Sequence, residues 1–158
     1  MRTLLLCLFL FSCGKAQSSA TASAMAANAT TAPSSSIPAT AQDAFAVANQ
    51  IRQENGLPEM QPDPVLSAVA QAHAEDMRRR NYFEHNTPEG TTPFQRMEQA
   101  GLQFNAAAEN IAQGTASAQA VFQLWLNSPD HRKNLLNKIY GRQGIGFAGG
   151  YWVHDFAN

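Results

Sequence analysis

After Cys13 the chain holds no cysteine, and Cys7 and Cys13 are its only two. The remainder therefore has no intramolecular disulfide framework, no cysteine-based zinc site and no cysteine nucleophile. Residues 16–42 lack any charged side chain, and 20 of those 27 residues are Ala, Ser or Thr. No apolar run reaches the ~18–20 residues needed to cross a bilayer. No period of ~20–50 residues recurs, which argues against a solenoid or a propeller. Charge of one sign is also scarce: residues 43–158 carry 9 Arg/Lys against 12 Asp/Glu, a net of −3. That balance offers no electrostatic footprint for nucleic acid. These 116 residues are enough for one ordinary domain and too few for two.

What is present divides into three parts. Met1-Arg2-Thr3 followed by the apolar run Leu4–Phe11 reads as a secretory signal peptide. Its end, Leu10-Phe11-Ser12-Cys13-Gly14, resembles a bacterial lipoprotein processing site. The resemblance implies cleavage before Cys13, lipidation of Cys13 and membrane attachment, at the outer membrane in a Gram-negative host because Gly14 rather than Asp follows. Plain secretion is the alternative. Residues 1–12 are thus expected to be the signal and 13–42 the lipidated cysteine with a disordered tether. A segment of that composition, with Pro33 and Pro38, buries too little apolar surface to offset its ordering entropy. Residues 43–158 are expected to fold.

Helices come first in that domain. Asp43 is a candidate N-cap for a helix with Phe45, Val47 or Ala48, and Ile51 on one face, stopped at Asn55-Gly56. Asp63-Pro64 repeats the start signal for a helix over about 64–80, with the stripe Leu66, Val69, Ala70, His73, Met77 and three closing arginines. Thr92-Pro93-Phe94-Gln95 reads as a capping box, and the short helix it starts ends before Gly101. An edge strand is expected within 102–113. Val121, Phe122, Leu124 and Trp125 mark a further helix, and Ser128-Pro129-Asp130 starts another carrying Leu135, Leu136 and Ile139. Two apolar runs flanking Gly149-Gly150 predict a closing hairpin. Both of its faces are apolar, which implies helices on both sides of a small sheet.

The candidate chemistry rests on four histidines and one acid. His73 falls on the apolar stripe and reads as core. His85 sits in a turn-prone loop after the second helix. Glu109 lies among Ala106-Ala107-Ala108 and Asn110-Ile111, company in which an acid needs a partner or a shifted pKa. His131 occupies a first helical turn, where the dipole favours the neutral imidazole. His154 alternates with Trp152 and Phe156 and reads as a packed, hydrogen-bonded strand residue.

Asn81-Tyr82-Phe83-Glu84-His85, Thr92-Pro93-Phe94, Glu109-Asn110-Ile111-Ala112, Trp125–Leu136, Gly144-Ile145-Gly146-Phe147 and Tyr151-Trp152 occur in this order. Together they resemble a bacterial member of the CAP superfamily (cysteine-rich secretory proteins, antigen 5, pathogenesis-related 1; the SCP domain) over residues 43–158. The resemblance implies an α+β fold, a three-layer α-β-α sandwich with a small antiparallel sheet between helices. It also implies a cleft lined by two His and two Glu, which in some members takes a divalent metal. His85 matches the first His, Glu109 the first acid and His131 the second His. Ser128 stands where the second Glu is expected, and His154 where Gln is.

His85, Glu109 and His131 are therefore candidate ligands for a divalent metal such as zinc, with Ser128 as a further cleft residue. A non-enzymatic, lipid-anchored module that binds a small molecule, lipid or metal is the leading expectation. The alternatives are a metal-dependent or Ser/His hydrolase of envelope or extracellular material, and a structural or adhesive domain with a vestigial cleft. For Ser128 an N-cap role competes with a nucleophile role, and no nucleophile-elbow motif supports the latter.

Overall fold

A computed structural model describes the backbone of residues 39–158 and the side chains of 43–158. The expected signal peptide, Cys13 and the expected tether as far as residue 38 lie outside the described residues. Helix α1 (Ala39–Glu54) starts four residues before the expected cap, so Asp43 is an exposed residue inside it. It buries Ala44, Phe45, Ala48, Ile51 and Arg52 and stops at Asn55-Gly56, where Gly56 takes φ +70°. A two-residue strand β1 (Gln61–Pro62) leads into α2 (Pro64–Arg80). Asp63 caps α2 by accepting from the Val65 and Leu66 amides, and the whole predicted stripe is buried. Asn81 ends α2 in the left-handed region at φ 56°.

Thr92 and Gln95 form the expected capping box at the start of α3 (Pro93–Gln99). Strand β2 (Ala107–Gln113) follows, then α4 (Ala118–Asn127), α5 (Pro129–Leu135), β3 (Arg142–Ala148) and β4 (Tyr151–Ala157). The sheet order is β1-β3-β4-β2, so β2 is an edge strand as predicted. The β1–β3 pair is parallel, so the sheet is not wholly antiparallel. Gly149 and Gly150 both have positive φ, +55° and +92°, which is why two glycines close this hairpin. Two apolar assignments fail. Leu124 points to solvent, and Ile139 lies beyond α5 and is exposed.

Strand alternation separates two faces. One face, with Ile145, Trp152, Phe156, Ala108 and Ala112, packs with Phe45, Ile51, Val121, Phe122, Trp125 and Leu135 of α1, α4 and α5. The other carries Gly144, Gly146, Val153 and Ile111 and lies against α2. There a Cβ on Gly144 would sit 2.2 Å from the Leu66 carbonyl carbon, and one on Gly146 2.3 Å from that of Ala70. Helix and sheet thus touch backbone to backbone, and the α-β-α sandwich is the observed architecture.

Gly144→Ala should therefore destabilise the protein by about 3 kcal/mol, because the obstruction is backbone rather than a movable side chain. Gly141→Ala, with nothing within 4 Å of its new Cβ, should stay within about 0.5 kcal/mol of the parent. Urea unfolding at equal pH measures both.

Candidate functional site

Two α-helices hold the loop that carries His85. From α2, the His73 Nε2 donates to the Glu84 carbonyl at 3.1 Å. From α3, the Arg96 guanidinium donates to the carbonyls of His85 at 2.8 Å and Thr91 at 3.2 Å. Pro93 and Met97 are buried and anchor α3. They turn Arg96 inward, where its other terminal nitrogen meets Glu109 Oε2 at 2.5 Å. Glu109 Oε1 accepts from His85 Nδ1 at 2.7 Å. Both oxygens of the Glu109 carboxylate, whose side chain is 1% exposed, are thereby satisfied. The His85 side chain is 50% exposed, and its Nε2 is left to face solvent.

Asn110, the next residue of β2, projects to the opposite side of the strand. Its Nδ2 donates to the His131 carbonyl at 3.0 Å, and its Oδ1 accepts from Asn134 Nδ2 at 2.9 Å. The His131 backbone is thus held on the α5 side of β2, while His85 stands on the α3 side. Burial lowers the His131 pKa, the nearby His85 lowers it further, and Asp130 opposes both. Its neutral form follows from burial first, not from the helix dipole alone. Ser128 occupies the N-cap position of α5, yet its side chain makes no capping hydrogen bond. A cleft of about 450 Å³ runs along this edge, lined by His85, Asn86, Thr92, Phe94, Glu109 and Asn134 among others.

The metal reading does not fit this arrangement. Among the described residues no three His, Asp or Glu side chains group as a cation site. The physical reason is local: Glu109 is already neutralised by Arg96 and bonded by His85, and a fixed guanidinium opposes a dication. Ser128 supplies no carboxylate, and neither it nor His131 lines the cleft around Glu109.

Besides Arg96, one residue near Glu109 escaped sequence reasoning. Asp155 is Glu109's register partner on β4, fully buried, and neither of its oxygens has a hydrogen-bond partner. Two acceptors facing each other cannot bond unless one holds a proton. Burial, then the Glu109 charge, pushes the Asp155 pKa well up, with Arg96 opposing. Alternation offered a signal: if 152, 154 and 156 share one buried face, 155 belongs to the other, which is also apolar. His73, read as core, is buried and additionally positions the His85 loop. His154 lies among Phe122, Trp125 and Phe156 and shares a hydrogen bond of 3.1 Å with Gln143. It belongs to the packed core and not to the cleft.

A three-layer sandwich with a His/Glu pair on the edge of its sheet defines an SCP-type domain. The family model described as the cysteine-rich secretory protein family, CAP, matches residues 45–156, and the chain belongs to that family. It is 38% identical over 141 residues to the Bacillus subtilis (strain 168) protein YkwD, covering 88% of this chain and 55% of that one. An extracellular protein containing an SCP domain from Bacillus anthracis str. Ames superposes with TM-score 0.73 at 35% identity, over 75% of this chain and 40% of that one. An outer surface protein from Borrelia burgdorferi gives TM-score 0.69 at 25% identity, over 74% and 90%. This chain thus spans about half the length of YkwD. These structural relatives are described as extracellular or outer surface proteins.

Two buried groups contribute opposite pH dependences. Burial, with Arg52 adding, pushes the His154 pKa down to about 3. Below pH ~6.5 the unfolded chain binds a proton that the folded chain refuses, so stability falls as pH drops toward 3, by up to about 1.4 kcal/mol per unit. Asp155 acts oppositely: its raised pKa favours the folded state at low pH, and that advantage is lost as pH rises above ~4. His154→Gln should flatten the acid limb, and Asp155→Asn should gain on the parent as pH rises above ~4. Chemical unfolding across this range measures both.

Proposed function

We propose that this chain is an extracytoplasmic, lipid-anchored CAP-domain protein whose cleft binds a small polar ligand without chemical turnover. The carrying observation is the saturation of Glu109. With one oxygen on Arg96 and the other on His85, the carboxylate is a fixed element that positions His85 and not a free base. The cleft supports the same reading. Its volume of about 450 Å³ suits a small molecule. Phe94, 46% exposed, offers an apolar platform at its rim. Asn86, Thr92 and Asn134 supply neutral donors and acceptors, with His85 Nε2 beside them. Cys13 is the anchor in this reading, and residues 14–38, ahead of α1, the tether.

One observation favours a second reading. A histidine oriented through Nδ1 by a buried carboxylate, with Nε2 outward, has the geometry of a general base. A hydrolase would then need Ser128 or water as the nucleophile.

Thermal shift and ligand-observed NMR against neutral saccharides, amino acids and short peptides test the binding reading. At least one compound should bind the parent, and His85→Ala or Phe94→Ala should weaken it about tenfold, the scale of one lost contact worth ~1.4 kcal/mol. Unchanged affinity in both variants would place the ligand elsewhere. Turnover of an ester or peptide that vanishes in Glu109→Gln would instead establish the hydrolase. The anchor is tested separately: the parent should partition with membranes when expressed in a bacterial host, and Cys13→Ala should release it.

A further inference from the structure

Most cations of residues 43–158 have an assigned task. Arg79, Arg80, Arg96 and Arg142 pair with carboxylates. Arg78 lays its side chain over Gly149. Arg52 is wholly buried and donates to backbone carbonyls. Arg132, Lys133 and Lys138 remain, without an ion-pair partner among the described residues, and all three line one groove of about 670 Å³. Its apolar surface comes from Leu57, Pro129 and Leu136. The nearby acids Asp130 and Glu59 form no ion pair with these cations, Glu59 accepting from the neutral Gln53 amide instead.

The groove is built rather than incidental. Arg52 donates to Pro58 O on one wall, and to Leu135 O and Asn137 O on the other, each at 2.9 Å. Its fourth bond reaches Tyr140 O at 3.3 Å, and its own carbonyl accepts from the Leu57 amide at 2.9 Å. One guanidinium therefore fixes the spacing between the segment after α1 and the segment after α5. Beside the groove stands Ile139, 49% exposed and next to Lys138, on a turn braced by the Asn137 side chain.

We propose that this groove and Ile139 form a surface that docks on a bilayer containing anionic phospholipid. Unpaired cations around apolar side chains match the boundary between charged headgroups and acyl chains. An acidic protein segment would satisfy the three cations but gives Ile139 no apolar partner. The rest of the domain carries net negative charge, so it is repelled by the same membrane and only this face can approach. The surface is separate from the His85 cleft and does not depend on the ligand proposed there, nor on the anchor at Cys13.

The test uses the chain from Gly14 onward, which carries no lipid and retains the core formed within residues 44–157. It should cosediment with vesicles of phosphatidylglycerol and phosphatidylcholine in equal parts, not with phosphatidylcholine alone, and raised salt should weaken it. The triple variant R132E/K133E/K138E should lose roughly a hundredfold in affinity, on the scale of ~1 kcal/mol per basic residue at an anionic surface. Ile139→Ser should lose less, and His85→Ala nothing. Matching unfolding curves show that the variants fold. Equal binding to both vesicle types, or binding that survives the triple variant, overturns the proposal. Capture of a polyglutamate peptide without vesicle binding also overturns it, in favour of an acidic protein partner.

Discussion

At Gly144 and Gly146 the backbone of α2 occupies the space where a side chain would begin. Helix and sheet then exclude water from everything between them. That is harmless for Ile111 and Val153, which are apolar. It is decisive for Glu109 and Asp155, two acids brought side by side on adjacent strands by the register. One answer is a raised pKa that favours the neutral acid, which burial and the Glu109 charge give Asp155. The other is compensation, which Glu109 receives from Arg96 and His85. Once Arg96 is committed there, its remaining donors hold the carbonyls of His85 and Thr91, so the cleft loop is fixed by the same ion pair. The cleft's shape follows from helix–sheet distance through a chain of unmet electrostatic demands.

The sheet's two faces solve different problems. Toward α1, α4 and α5 the interior is aromatic and dry, with Trp125, Trp152, Phe122 and Phe156 wholly buried. His154 is neutral there because charging it would cost more than its neighbours return. Toward α2 the interior is thinner and partly polar. No disulfide ties the described loops together. Arg52 takes over part of that task by collecting four carbonyls from two segments. Hydrogen bonds to a charged donor are stronger than neutral ones, but removing such a donor leaves every acceptor unmet, unlike the loss of a purely apolar contact.

Local rules carried the sequence reading wherever a local interaction decides. Asp63, Thr92 with Gln95, and Gly149-Gly150 are short-range devices, and each acts where it was expected. Asp43 failed because a good cap residue can equally be an exposed residue within a helix when the preceding residues also accept helical backbone. Leu124 and Ile139 failed because the packing partner, not the period, decides which apolar residue is covered. In the site, Glu109 was recognisable as an acid needing a partner, and His85 as a free loop histidine. Their bond, and Arg96 as the second partner, depend on contacts 24 and 13 residues apart that no spacing rule encodes. Asp155 was hidden because a strand reading that assigns His154, Trp152 and Phe156 to one face leaves the other face unexamined.

The local charge balance bears on what the proposed cleft selects. Arg96 cancels Glu109, burial favours neutral Asp155 and neutral His131, and Ser128 adds none. A dication entering here would lose its hydration and meet one compensated carboxylate and a guanidinium. A neutral ligand loses far less on desolvation and finds the amides of Asn86 and Asn134, the Thr92 hydroxyl and the Phe94 ring. The cleft carries little net charge, while the domain's cations without ion-pair partners among the described residues, Arg132, Lys133 and Lys138, line a separate groove. Selection among ligands and attraction to a charged surface are thereby assigned to different residues, so a change in either can leave the other intact.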